Sequence, residues 1–147
     1  MKIRIRNAVR EDLPAVVGLL RHLDVGEDKD LSIRRARAIF ERTRRYPLYR
    51  IYVAVAPDRS IVGTFALLII DGLAHGGAPH GLVEDVVVNP QWRGRGIGNR
   101  MMRYAMQRCR AAGCYKMALS SHLSRSGTHG FYESLGFAKH GYSFLAR

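Results

Sequence analysis

The sequence is short of acids, of lysine and of cysteine, and it has no long apolar run. Its 147 residues carry 12 Asp and Glu against 24 Lys and Arg, a net charge of +12. Only Lys2, Lys29, Lys116 and Lys139 are lysines, so arginine carries the positive field, and its forked guanidinium suits phosphate or carboxylate. The partners this charge allows are a polyanion, a phosphate-bearing cofactor or a small acidic substrate. Two cysteines, Cys109 and Cys114, are too few for a disulfide framework and read as a reduced buried thiol and a passive loop thiol. The longest apolar stretch, Ile61 to Ile70, is interrupted by Gly63 and Thr64 and falls short of the ~18 residues of a membrane span. The start, Met1 to Arg6, alternates charged and apolar residues, which is no secretory signal. A soluble, cytoplasmic protein away from membranes is expected. What is present is apolar material, 47% of the chain, enough for the core of one domain spanning residues 1–147. No repeat, linker or low-complexity tract interrupts it.

Periodicity divides the chain into alternating elements. Ile3 to Ala8 alternate as a strand, and Leu13, Val16, Val17, Leu20 and Leu23 follow at helical spacing, with Gly26 as the stop. Beyond the polar stretch holding Asp28, Lys29 and Asp30, a second helix sets Ile33, Ala36 and Phe40 beside the run Arg34, Arg35, Arg37, Arg42, Arg44 and Arg45, which reads as a solvated face. Tyr49 to Ala56, the turn at Pro57-Asp58-Arg59-Ser60 and Ile61 to Asp71 form a hairpin. A glycine-rich loop, residues 72–81, introduces the strand Leu82 to Val88, where Glu84 and Asp85 are unexpected among apolar neighbours. A helix with Ile97, Met101, Met102, Ala105, Met106 and Cys109 on one face stops at Gly113. A strand at 115–119, a short helix at 127–135 and a last strand from Phe137 to Leu145 complete the order.

Between the third long strand and its helix lies Arg93-Gly94-Arg95-Gly96-Ile97-Gly98. Closely spaced glycines let backbone N–H groups converge on an anion; the helix start adds partial positive charge and the arginines add full charges. This is a diphosphate cradle. The dinucleotide fingerprint is disfavoured, because the glycines alternate and no acid lies about 20 residues on. A P-loop is disfavoured too, because Asn99-Arg100 supply neither its lysine nor its hydroxyl.

The stretch Val86 to Gly98 resembles the acetyl-coenzyme A motif of the GNAT superfamily of N-acyltransferases, Arg/Gln-x-x-Gly-x-Gly/Ala, filled here by Arg93, Gly96 and Gly98. His129-Gly130-Phe131-Tyr132-Glu133-Ser134-Leu135-Gly136-Phe137 resembles that superfamily's closing Phe-Tyr-x-x-x-Gly-Phe segment, and the element order matches its topology. The resemblance implies an α/β (α+β) GNAT fold, a mixed, mostly antiparallel sheet with about four helices, opened between the strands at Val86 and Met117. It implies acetyl-coenzyme A as co-substrate. Its pantetheine arm would pair with Val86, Val87 and Val88, and its diphosphate would lie on the amides of Arg93, Gly94, Arg95, Gly96, Ile97, Gly98 and Asn99.

Acetyl transfer to an amine needs a neutral nucleophile, a polarised thioester and a proton for the leaving thiolate. Tyr132, rotated about 100° on its helix from Phe131, matches the family tyrosine that protonates the thiolate. Glu84 and Asp85 alternate on an ideal strand, so one faces each side. Glu84, sharing a face with Val86 and Val88, is the expected base, directly or through water, and Asp85 is the alternative that faces substrate. Gly81 to Val88 and Gly113-Cys114-Tyr115-Lys116 resemble glucosamine-6-phosphate N-acetyltransferases. Ser120-Ser121-His122 stands where those enzymes are acidic, and the stretch from Leu119 through Arg125 resembles aminoalkylphosphonate N-acetyltransferases instead. Ser120 and Arg125 are thus expected at the substrate, a small primary amine carrying phosphate or phosphonate. A protein or peptide amine, or a nucleic-acid-binding role for the arginine helix, is the competing reading, and the scattered aromatics disfavour nucleic acid. His75, His80, His122, His129 and His140 have no compact ligand spacing, so no metal is expected. The resemblance extended to the chain end implies a homodimer joined through the last strand.

Overall fold

The computed structural model describes residues 1–23, 30–121 and 126–147. Gly26, Asp28, Lys29, His122 and Arg125 lie outside them. β-Branched and aromatic residues build a five-stranded sheet of β1 (Arg4–Asn7), β2 (Tyr49–Val55), β3 (Ile61–Ile70), β4 (His80–Val88) and β5 (Met117–Leu119), paired in that order. β1 to β4 are antiparallel, and β5 lies parallel to β4 after the crossover helix. Helices α1 (Leu13–Leu20), α2 (Ile33–Thr43), α3 (Ile97–Ala111) and α4 (Ser126–Ser134) flank it. The mixed, mostly antiparallel sheet with four helices expected from the sequence is present.

Each face of the sheet has its own core. On one, α3 inserts Ile97, Met101, Met102, Ala105 and Cys109 among Phe65, Leu67, Val83 and Tyr52. Three glycines set the depth of that packing. A β-carbon on Gly63 would meet the Met101 sulfur at 2.7 Å, one on Gly81 would run into Cys109 Sγ, and one on Gly98 would press on Phe131 at 3.0 Å. On the other face, Leu13 and Val16 of α1 and Phe40 of α2 pack on Val53 and Val55. Asp12 supports this face by accepting Arg6 Nη1 and Nη2 at 2.6 and 3.0 Å and the Val9 amide at 2.8 Å. The helix α2 is started by Ser32, whose Oγ accepts the Arg35 amide at 3.1 Å. Both cysteines are free thiols. Burial and then the neighbouring Cys114 push the Cys109 thiol up to about 12, so it is no nucleophile at neutral pH.

Two features shape the site. β5 pairs with β4 only from Gly81↔Met117 to Val83↔Leu119, so from Glu84 to Val88 that edge of β4 is open. A bulge then lies within the β3–β4 ladder, where Ala66 opposes Glu84 but Thr64 opposes Val87, leaving Asp85 and Val86 together opposite Phe65. Asp85 absorbs the extra residue at φ 55°.

The expected last strand from Phe137 to Leu145 is absent. Residues 137–147 join no sheet, and beyond the half-buried Phe137 they run exposed. A strand exists only as the hydrogen-bonded neighbour of another. The apolar residues Tyr142, Phe144 and Leu145 were a strand signal, yet the segment meets the end of β5 only through side chains, Ser143 Oγ lying 3.3 Å from Ser120 Oγ, and makes no ladder with the free edge of that strand.

Candidate active site

The glycine loop opens the site. Asn89 accepts the Gln91 amide at 3.0 Å and turns the chain out of β4 into the short helical turn Pro90–Trp92. Gly94 and Gly96 then take φ of 76° and 78°, a region costly for other residues. The first amide of α3 to find its own helical carbonyl is that of Arg100, on Gly96 O at 3.1 Å. The N–H groups of Ile97, Gly98 and Asn99 therefore point out of the helix start without a helical acceptor, where the dipole favours an anion. Arg95 lies over the Trp92 ring at 4.7 Å, which holds one full charge beside the loop. The side-chain oxygen of Asn99 already accepts Arg103 Nε at 2.7 Å, so what Asn99 leaves open at the helix start is its backbone N–H. Gly98 serves packing as well as approach, since its missing side chain makes room for Phe131.

The loop forms one end of a cleft of about 1120 Å³. Val83 and the open edge of β4 from Glu84 to Val88, Leu119 at the end of β5 with Ser120 and Ser121 after it, Thr128, Phe131 and Tyr132 of α4, and His22 and Leu23 line the remainder. The structure therefore gathers the sequence-predicted residues Glu84, Asp85, Val86, Val87, Val88, Arg93, Gly94, Gly96, Ile97, Gly98, Asn99, Ser120 and Tyr132 around a single opening. Arg95 sits beside it, stacked on the cleft residue Trp92. Tyr132 is wedged between the rings of Phe131 and Phe137 at 5.2 and 5.6 Å, which fixes its phenol at the cleft wall.

The acid pair differs from the expectation. Glu84 does not share a face with Val86 and Val88. Val83 and its partner Leu67 point into the α3 core, so Glu84 and its partner Ala66 point the other way, whereas beyond the bulge Val86 and Val88 pack on the α3 core. The extra residue also removes the constraint that the two acids face opposite sides: both are solvent-accessible and both line the cleft. The cleft walls desolvate them. Burial raises both carboxyls above the ordinary range, and for Glu84 the charge of Asp85 adds to it. Tyr49 of β2, which sequence reasoning passed over, faces this pair; its phenol is raised by burial and then by Asp85 and Glu84. Its signal was slight, one aromatic opening a strand. Trp92, also passed over, was marked by its place three residues before Arg95.

The cleft is formed from a half-open strand, a glycine loop at a helix start and a tyrosine on the following helix. Residues 13–137 match the acetyltransferase (GNAT) family. The chain belongs to the GNAT family. It is accordingly an enzyme of the N-acetyltransferase class. Among GNAT relatives, it is 33% identical over 138 residues to glucosamine 6-phosphate N-acetyltransferase of Trypanosoma brucei brucei, covering 94% of this chain and 90% of the relative. It is 27% identical over 140 residues to aminoalkylphosphonate N-acetyltransferase of Salmonella typhimurium, covering 95% and 88%. Glucosamine-6-phosphate N-acetyltransferase of Arabidopsis thaliana superposes with a TM-score of 0.86 over 100% of this chain and 99% of that one at 24% identity, a likeness of fold. Among the described residues no helix is long and apolar enough to cross a membrane, and no three His, Cys, Asp or Glu side chains gather as a metal would need.

Proposed function

We propose that this GNAT enzyme moves the acetyl group of acetyl-coenzyme A to the primary amine of a small phosphorylated or phosphonylated molecule. The observation that carries the reading is the continuity of the open β4 edge with the amides at the start of α3. Val86, Val87 and Val88 offer unpaired backbone to an extended amide-bearing arm, and one turn further on, the amides from Gly94 to Asn99 suit its diphosphate. GNAT acetyltransferases use acetyl-coenzyme A, and these residues fit it.

In this reading the amine enters from the side of Glu84 and Asp85. Glu84 takes the proton of the incoming ammonium, directly or through a water, and its raised pKa brings it nearer the working pH of a general base. The nitrogen lone pair forms the C–N bond at the thioester carbonyl as the C–S bond breaks, and the acylated nitrogen releases its second proton to water to become the neutral amide. The Tyr132 hydroxyl gives its proton to the departing sulfur and is restored from solvent. Asp85 holds the ammonium electrostatically until transfer, and Ser120 offers its hydroxyl at the cleft rim. Arg125 is assigned to the acceptor on sequence grounds alone. The two long relatives, named for a phosphorylated amino sugar and for aminoalkylphosphonates, support an anionic amine as the substrate class.

The same reading includes a homodimer. Tyr142, Phe144 and Leu145 are 88%, 94% and 78% exposed on a segment that joins no strand of its own sheet, an apolar surface suited to a second copy. Light scattering at micromolar concentration is expected to give the dimer mass, and a monomer would contradict this part. The transfer itself is tested by incubating the enzyme and acetyl-coenzyme A with amino sugars, aminophosphonates, polyamines, aminoglycosides and peptide amines. Release of coenzyme A with N-acetylation of a phosphorylated or phosphonylated amine supports it. Turnover only with peptide amines would overturn the substrate class, and no turnover with any amine would overturn the reading.

A further inference from the structure

A second pocket, of about 560 Å³, lies outside the cleft on the face covered by α1 and α2. Ala8 and Ile51 form its floor at the β1–β2 seam, Phe40 and Thr43 of α2 form a wall, and Arg10, Arg44 and Arg50 reach it together with Tyr49 and Glu11. Three guanidiniums against one carboxylate leave a net positive pocket, and that excess outweighs the roughly half-unit of negative charge at the end of α2. Arg50 is steadied from behind, its Nη1 donating to Tyr49 O at 2.6 Å, which leaves the rest of its fork for a ligand. Arg44 meets Glu41 at 3.5 Å between exposed side chains, a contact of little energy that an incoming anion can displace. Forked donors at a concave, partly apolar site are what a phosphate or phosphonate group requires.

The sheet register relates this pocket to the carboxylates. Ile51 pairs with Ala66, and Ala66 pairs with Glu84, so floor and acid share one face at one level of the sheet. They are two strand spacings apart, about 10 Å. Between them Ala66 presents only a methyl group. Tyr49 lines the pocket while its phenol feels Asp85 and Glu84, so the two regions meet at one side chain.

We infer that Arg10, Arg44 and Arg50 form the anion subsite of the acceptor, holding a phosphate or phosphonate several bonds away from an amine presented beside Glu84 and Asp85. This rests on the acetyl-transfer reading above. The span selects length: an amine and a phosphate separated by a sugar-sized body reach both places, and a two-carbon aminophosphonate does not.

The test uses inorganic phosphate and glucosamine 6-phosphate on the full chain, on the double variant Arg44→Gln/Arg50→Gln, and on Arg34→Gln/Arg37→Gln as a control for charge on the same helix. Calorimetry is expected to show phosphate binding weakened about tenfold or more in the pocket variant and retained in the control, the loss expected for charge-assisted hydrogen bonds. In steady-state transfer the KM for glucosamine 6-phosphate should rise about tenfold or more, with the KM for acetyl-coenzyme A unmoved and phosphate competing with the amine. Equal phosphate affinity in wild type and pocket variant overturns the inference, as does an equal loss in the control. If the transfer reading alone fails, no amine turns over while phosphate binding still depends on Arg44 and Arg50, and the acceptor role falls with it. A variant that unfolds is replaced by Arg10→Gln, read in the same assays.

Discussion

The two halves of the site are built from different materials. In the proposed reading, the loop from Arg93 to Asn99 would hold the coenzyme through backbone amides whose direction is fixed by Gly94, Gly96 and the start of α3. On the proposed acceptor side, recognition would fall to side chains, Glu84, Asp85, Tyr49 and the arginines of the second pocket, which come from β2, β4, the end of α2 and the turn after β1. A backbone site depends on which residues are missing a side chain, and chain spacing alone specifies it. A side-chain site depends on which strands become neighbours, so it can be retuned for a new acceptor without disturbing the coenzyme.

The difference is broken most sharply at Gly96. Valine there must enter the left-handed region at φ 78°, yet nothing lies within 4 Å of the added β-carbon in the fold. The expected outcome is a folded protein, slightly less stable, whose affinity for coenzyme A falls at least about 100-fold as several charge-assisted amide bonds are misdirected. Calorimetry checks it, and unchanged affinity would remove the loop from the account. A loss of folding instead would shift the test to Gly94→Ala at φ 76°.

Next in size is Tyr132→Phe, which deletes one hydroxyl and keeps the ring between Phe131 and Phe137. In a chemistry-limited assay kcat should fall on the order of 10²-fold, with the KM for acetyl-coenzyme A little changed. A wild-type kcat would eliminate this tyrosine as the acid.

On the acceptor side the expected effects are smaller and depend on pH. Glu84 is held above the ordinary carboxylate range, so wild-type kcat/KM should decline as pH falls through that raised value. Glu84→Gln should lower the rate about tenfold or more at the acid end of the wild-type plateau. The gap should narrow at alkaline pH, where the amine is already neutral and needs no base. Parallel pH profiles for the two enzymes would assign deprotonation to bulk water or to Asp85.

The smallest effect concerns stability. Asp85 has a folded pKa above its unfolded value, so the native state binds the proton more tightly, and stability falls as pH rises through the interval between the two. Asn keeps the shape and tolerates the left-handed conformation at φ 55° at least as well. Asp85→Asn should therefore raise Tm by about one degree at neutral pH, the size expected for a part-exposed group in a domain of this length. The gain should vanish below about pH 3.5, under the ordinary Asp value. Asp12 is the contrasting case. Burial pushes its carboxyl up, but the Arg6 bond and the Val9 amide outweigh this and hold it low. Its contribution is present above the ordinary Asp value and is lost as pH falls through the depressed one.

The contrast between the halves also explains how much could be read from the sequence. Phe131 to Phe137 was legible because it is one contiguous segment that resembles the family's closing motif, and Arg93 to Gly98 because it is one contiguous segment whose glycine spacing encodes a conformation. The β2–β3 hairpin and the apolar stripe of α3 were legible for the same reason. The face of Glu84 was not, because a bulge of one residue at Asp85 undoes strict alternation and nothing local announces it. Tyr49 was invisible as a site residue because its nearness to Glu84 and Asp85 arises only when β2, β3 and β4 pair. The segment from Phe137 to Leu145 was read by its pattern, whereas a strand needs backbone pairing, and this segment touches the end of β5 through Ser143 without forming a ladder on its free edge.

Amide hydrogen exchange, measured by NMR with and without coenzyme A, tests the division between backbone and side-chain recognition most directly. Slowed exchange at Val86 to Val88 and from Gly94 to Asn99, with the amides around Arg10, Arg44 and Arg50 unaffected, is the result predicted. Protection that spares the loop at Arg93 to Asn99, or that appears instead around the arginine pocket, would contradict it.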